Sequence, residues 1–92
     1  MKFSEEQIII RLQSVKHSFS YSQGKLIAEF KFLNFTEAFS FATQVALEAS
    51  QIQHYPTIQI GGNKVQLWLY SPVEAGITEK DFELAKRILN IQ

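Results

Sequence analysis

Phe30-Lys31-Phe32-Leu33-Asn34-Phe35 runs directly into an apolar segment that ends near His54-Tyr55-Pro56. Up to Phe32 the apolar residues Leu26, Ala28, Phe30 and Phe32 alternate with Ile27, Glu29 and Lys31, the period of a strand with one buried face. From Ala38 the spacing becomes helical: Ala38, Phe39, Phe41, Ala42, Val45, Ala46, Ala49 and Ile52. The change falls at Asn34 and Thr36, which compete as N-cap, and Glu37 stands three residues after Asn34 as a capping box requires. The helix expected over about 36–51 is apolar over more than half its circumference, more than one sheet-facing stripe needs. It is either deeply buried or packed by its second face on another subunit.

Outward from this stretch the pattern repeats. Ser4-Glu5-Glu6-Gln7 carries a capping-box pattern with acids in the first turn. Ile8, Leu12 and Val15 follow at helical spacing, so a helix is expected over about 4–15. Phe19 and Tyr21 alternate with serines, and Ser22-Gln23-Gly24-Lys25 reads as the turn that joins this strand to the one ending at Phe32. Downstream, Ile58-Gln59-Ile60 is a short strand, Gly61-Gly62-Asn63 turns it, and Val65 to Tyr70 returns. Val65, Leu67 and Leu69 point one way, and Gln66, Trp68 and Tyr70 the other. Ser71-Pro72 ends the strand, and Thr78-Glu79-Lys80-Asp81 caps a last helix with Phe82, Ala85, Ile88 and Leu89 as its stripe. The order α-β-β-α-β-β-α with antiparallel hairpins predicts an α+β, two-layer domain spanning 1–92, its helices on one face of a four-stranded antiparallel sheet. The other face would carry Ile27, Glu29, Lys31, Gln59, Gln66, Trp68 and Tyr70, too apolar to be merely wetted.

Composition narrows the function. The chain has 92 residues, zero formal net charge, 46% hydrophobic residues and no cysteine. With no basic stripe, direct binding to nucleic acid is not expected. Disulfides and thiolate metal sites are excluded, and the two histidines make no recognisable zinc site. No signal-peptide h-region and no membrane-spanning run is evident, so a cytoplasmic protein is the expectation. A chain of this size buries only roughly 60–65% of its unfolded surface, and self-association would help it.

The segment from Phe30 to Ile88, with His54-Tyr55-Pro56, the Gly61-Gly62 hairpin and Glu74-Ala75-Gly76-Ile77-Thr78-Glu79-Lys80-Asp81, resembles the pterin-4a-carbinolamine dehydratase family. The resemblance implies the same α+β fold and a homodimer or homotetramer, built by joining sheet edges and by pairing the long helix. It implies loss of water from a 4a-hydroxytetrahydropterin, giving the quinonoid dihydropterin, without metal or other cofactor. One group must give a proton to the leaving hydroxyl and another must take one from the ring, roles that suit imidazole near neutral pH.

Carried over by position, the family's acid falls on Ser50, its first histidine on His54, its second on Tyr55 and its proline on Pro56. The hairpin aromatic falls on Gly62, the later histidine on Pro72 and the aspartate on Asp81. His54, Tyr55 and Asp81 are therefore the catalytic candidates, and Pro56 and Ser71 the substrate-binding ones. Each has a plainer explanation as well. His54 follows a helix end, where it could complement the terminal carbonyls. Pro56 sits at a common stop position, and Asp81 stands where the last helix wants a cap. Tyr55, with an ordinary phenol pKa of about 10, is a poor proton exchanger at pH 7, and Pro72 is none. His17, between polar residues, is expected at the surface. Two functions follow: a dehydratase with weak or lost activity toward a reduced pterin, or a non-catalytic protein-binding or assembly module that engages a partner through the face bearing Trp68 and Tyr70.

Overall fold

The computed structural model describes residues 1–91. Among them are three helices and four strands: α1 (Glu5–Leu12), β1 (Phe19–Ser22), β2 (Lys25–Lys31), α2 (Phe35–Ile52), β3 (Thr57–Gly61), β4 (Lys64–Leu69) and α3 (Glu79–Leu89). The strands form one antiparallel sheet in the order β1-β2-β4-β3, so the two hairpins meet through β2 and β4. This is the expected α+β architecture.

Alternation along the strands gives the sheet its two faces. Phe19, Leu26, Ala28, Val65, Leu67 and Leu69 are buried, in one cluster with Ala38, Phe41, Ala42, Val45 and Ala49 of α2 and Phe82, Ala85 and Ile88 of α3. Phe30 and Phe32 continue that face and bracket Phe41, with ring centroids 4.9 and 5.0 Å away. On the opposite face the register sets Trp68 between Ile27 and Thr57, and Gln66 between Glu29 and Gln59. Trp68 and Gln66 are half-buried there, on the side away from Val65, Leu67 and Leu69, as the sequence predicts.

The turns follow from the residues that occupy them. Gln23 and Gly24 both have positive φ, the two-residue hairpin geometry that matches strand twist. Asn34 wins the competition for the α2 N-cap: its Oδ1 accepts the Glu37 N–H at 2.9 Å. The first helix is shorter than its spacing suggests. After Leu12 the backbone switches to i→i−3 bonds, with Val15 N–H on Leu12 O at 3.0 Å, and the Ser14 hydroxyl bonds Arg11 O. A serine that bonds the backbone locally weakens the continuing helix, yet Val15 stays fully buried because the tighter turns still face it inward. Tyr70 lies just past β4 rather than within it, half-buried beneath the Lys25 ammonium, 5.5 Å from its ring.

Candidate active site

The site forms where three chain segments end. The first is the C-terminus of α2. Gln53 adopts the left-handed conformation (φ 52, ψ 45) and its N–H bonds back to Ala49 and Ser50 carbonyls; the His54 N–H reaches Ala49 O at 3.1 Å. This left-handed close reverses the chain and presents His54 to the start of α3. Because backbone amides satisfy these carbonyls, and Lys80 Nζ donates to Ile52 O at 3.1 Å, the His54 imidazole is not needed as a cap.

The second segment follows β4. Ser71 and Gly76 pair in an isolated antiparallel bridge, Ser71 N–H on Gly76 O at 2.9 Å and Gly76 N–H on Ser71 O at 3.3 Å. They close a small loop over Pro72 to Ala75, with Ala75 at φ 55 and its N–H on Pro72 O. The third segment is the N-terminus of α3, where Thr78 is the N-cap and Asp81 the third helical residue.

Asp81 ties the three together. Its Oδ2 accepts the Thr78 N–H at 2.9 Å and the Ser71 hydroxyl at 2.6 Å. Its Oδ1 lies 2.6 Å from His54 Nε2. The carboxylate is 0% exposed, and a buried charge persists only when its oxygens are so bonded. Ser71 Oγ also meets Thr78 Oγ1 at 2.9 Å. Asp81 thus caps the helix with one oxygen and meets the imidazole with the other. The His54 side chain is 12% exposed and borders a cavity of about 250 Å³, together with Met1, Glu74 and Lys80. A larger cleft of about 540 Å³, between the N-terminal segment and the β1–β2 turn, includes none of these groups.

The other sequence candidates stand apart. Tyr55 is 66% exposed and does not border the cavity. Pro56 is half-buried beyond it, and Ser50 is exposed on the last turns of α2. Gly62 occupies the β3–β4 turn at φ 58, and Pro72 is exposed on its loop. His17 is exposed, as expected. Ser71 borders the cavity but is only 2% exposed, with its hydroxyl turned to the carboxylate. Sequence reasoning missed Thr78 as a hydroxyl partner, although its N-cap position was visible, and Met1 and Lys80, which carry no local signal. Among the described residues, no group of three or more His, Asp or Glu gathers as a metal site. No helix there is long and apolar enough to cross a membrane.

The geometry defines a class: a two-layer α+β domain with an imidazole held by a buried, helix-capping carboxylate beside a small cavity. Residues 1–91 match the family model described as pterin 4 alpha carbinolamine dehydratase, and the chain belongs to that family. It is 41% identical to a Sulfolobus acidocaldarius protein named "Putative pterin-4-alpha-carbinolamine dehydratase", over the full length of both. A Christiangramia forsetii protein of the same name is 37% identical, over 98% of this chain and 92% of its own. Among solved structures, the "transcriptional coactivator/pterin dehydratase" from Brucella melitensis superposes with a TM-score of 0.91 at 28% identity, covering 99% of this chain and 98% of that one.

Proposed function

We propose that this protein is a slow 4a-hydroxytetrahydropterin dehydratase in which His54 is the remaining acid–base group. The observation that carries this is the His54 Nε2–Asp81 Oδ1 pair, 2.6 Å long, at the edge of a cavity in a chain of this family. In the reaction the C4a–O bond breaks, the hydroxyl leaves as water with a proton from an acid, and the ring loses a proton to a base. An imidazole backed by a carboxylate is suited to either transfer. Tyr55 and Pro72 stand at the positions where the family carries further histidines, so one imidazole of three remains. Each such general acid or base is worth about 10²–10⁴-fold, though the losses do not simply multiply. Glu74 and Lys80, which border the cavity beside His54, frame the pterin.

A stopped-flow dehydratase assay tests this on wild type, His54→Ala and Tyr55→His/Pro72→His. We expect measurable wild-type turnover, its loss in His54→Ala and a gain in the double variant. Opening the loop from proline costs the fold only about 0.4–1 kcal/mol through the unfolded state, so the double variant should stay folded. A wild-type rate unaffected by His54→Ala would eliminate His54 as the acid–base group.

A second reading rests on a different observation. Phe35, Phe39 and Leu47 lie exposed along α2, and the Phe35 and Phe39 rings sit 5.9 Å apart. Apolar surface of this kind suits contact with protein, and the Brucella melitensis relative is titled a coactivator as well as a dehydratase. A homo-oligomer joined through α2, or a protein partner on this helix, fits that surface, and the half-buried Trp68 and Tyr70 offer a separate face to a partner. Light scattering after gel filtration separates the two: a monomer at tens of micromolar would leave the surface for a foreign partner.

A further inference from the structure

Building on His54 as the acid–base group, we infer that Ser71 is a positioning residue and not a substrate contact: through Asp81 it confines the proton exchange of His54 to Nδ1. The assignment follows from counting protons. An ionised carboxylate only accepts, and a hydroxyl donates once. The Ser71 hydroxyl spends its proton on Asp81 Oδ2 at 2.6 Å. The contact between Ser71 Oγ and Thr78 Oγ1, 2.9 Å, is then donated by Thr78. Asp81 Oδ2 also takes the Thr78 N–H, which leaves Oδ1 for Nε2 of His54, 2.6 Å away. Nε2 therefore carries a hydrogen whether the ring is neutral or cationic. Ser71 Oγ, at 3.5 Å from Nε2, is at the limit of a hydrogen bond and has no proton left to give.

Nδ1 is different. Among the described residues it has no hydrogen-bond partner, and no buried side-chain nitrogen or oxygen is left unpaired, so Nδ1 meets solvent. It is the ring atom open to a ligand. Ser71 cannot itself touch one: it is 2% exposed, its hydroxyl is committed, and both its backbone groups are bonded to Gly76. Its part is to hold the Asp81 carboxylate in the rotamer that presents Oδ1 to Nε2. The site therefore has a single working nitrogen. It can deliver one proton or take one, not both at once, and water must complete the cycle.

The test is nitrogen-15 NMR of the imidazole in the full chain, titrated through the neutral form, with His17→Gln assigning the signals. Wild type should hold His54 with Nε2 protonated and Nδ1 bare. Ser71→Ala should mix the two tautomers and lower kcat by roughly 10–100-fold, the size seen when a group orienting a histidine is removed elsewhere, with KM unchanged. Ser71→Thr, which keeps the hydroxyl, should restore both. A wild-type ring protonated on Nδ1 overturns the assignment without any variant. So does a Ser71→Ala spectrum identical to wild type, and so does a raised KM with the tautomer unmoved, which would make Ser71 a substrate contact. Wild type with no turnover at all removes the dehydratase proposal instead, and the NMR result still decides the role of Ser71.

Discussion

Replacing Asp81 with asparagine should destabilise the fold by about 3 kcal/mol. The side chain keeps its shape and loses its charge, so the effect isolates the bonds its oxygens accept. There are three: Ser71 Oγ–H and Thr78 N–H on Oδ2, and His54 Nε2 on Oδ1. A hydrogen bond to a charged group contributes about 1.5–3 kcal/mol and a neutral one about 0.5–1.5, a difference of about 1 for each. The amide also brings donors to a site full of donors. Turned toward Ser71, its NH2 would leave the Thr78 N–H without an acceptor at the helix start. Turned toward His54, it would force the proton from Nε2 to Nδ1, and this orientation is the cheaper. Urea unfolding followed by Trp68 fluorescence and far-ultraviolet circular dichroism measures the loss, at matched protein concentration because self-association would shift both curves. With a slope of about 1.5 kcal/mol/M, the midpoint should fall by about 2 M. A variant within about 0.5 kcal/mol of wild type at an unchanged slope would refute the network. The carboxylate would then carry none of the burden its geometry assigns it.

Two further changes test neighbouring features. Gln53→Gly should stabilise the protein by about 0.5–1 kcal/mol, because a left-handed residue with a Cβ costs about 1–2 and glycine returns about 0.5–1 of that as unfolded-chain entropy; thermal unfolding reads it, and a lower melting temperature would contradict it. Phe39→Glu/Leu47→Glu, on the exposed face of α2, should leave the circular dichroism unchanged and convert any α2-mediated oligomer to a smaller species by light scattering; an unchanged mass would move the interface elsewhere.

Elements were legible wherever local chemistry governs them. The alternation from Leu26 to Phe32, the Gln23-Gly24 turn and the cap at Thr78 follow from neighbours within four residues, and each forms as expected. The order β1-β2-β4-β3 is not local: it depends on how the two hairpins meet, which no spacing states. The end of α1 was overrun for a related reason. Val15 keeps its place in the apolar register through tighter turns, so periodicity alone extends the helix past Leu12. At the site, His54 and Asp81 were visible as candidates, but their contact joins residues 27 apart in the chain. Ser71 is placed by its backbone bridge to Gly76, a feature with no signature beyond a glycine after a loop, and its hydroxyl bonds Asp81 ten residues on.

The double duty of Asp81 bears on how relatives of this chain should be compared. Its Oδ2 begins the last helix whatever the opposite oxygen does. A descendant that discarded His54 would still lose the stabilising bonds to Ser71 and Thr78 without the carboxylate, so selection for folding alone would favour keeping it. An aspartate at that point is therefore a marker of architecture, and its presence alone does not report turnover. The imidazole has no such second employment, since amides and Lys80 already close α2. On the acid–base role proposed for His54, its presence or loss is the character by which working and retired members of such a lineage would be told apart.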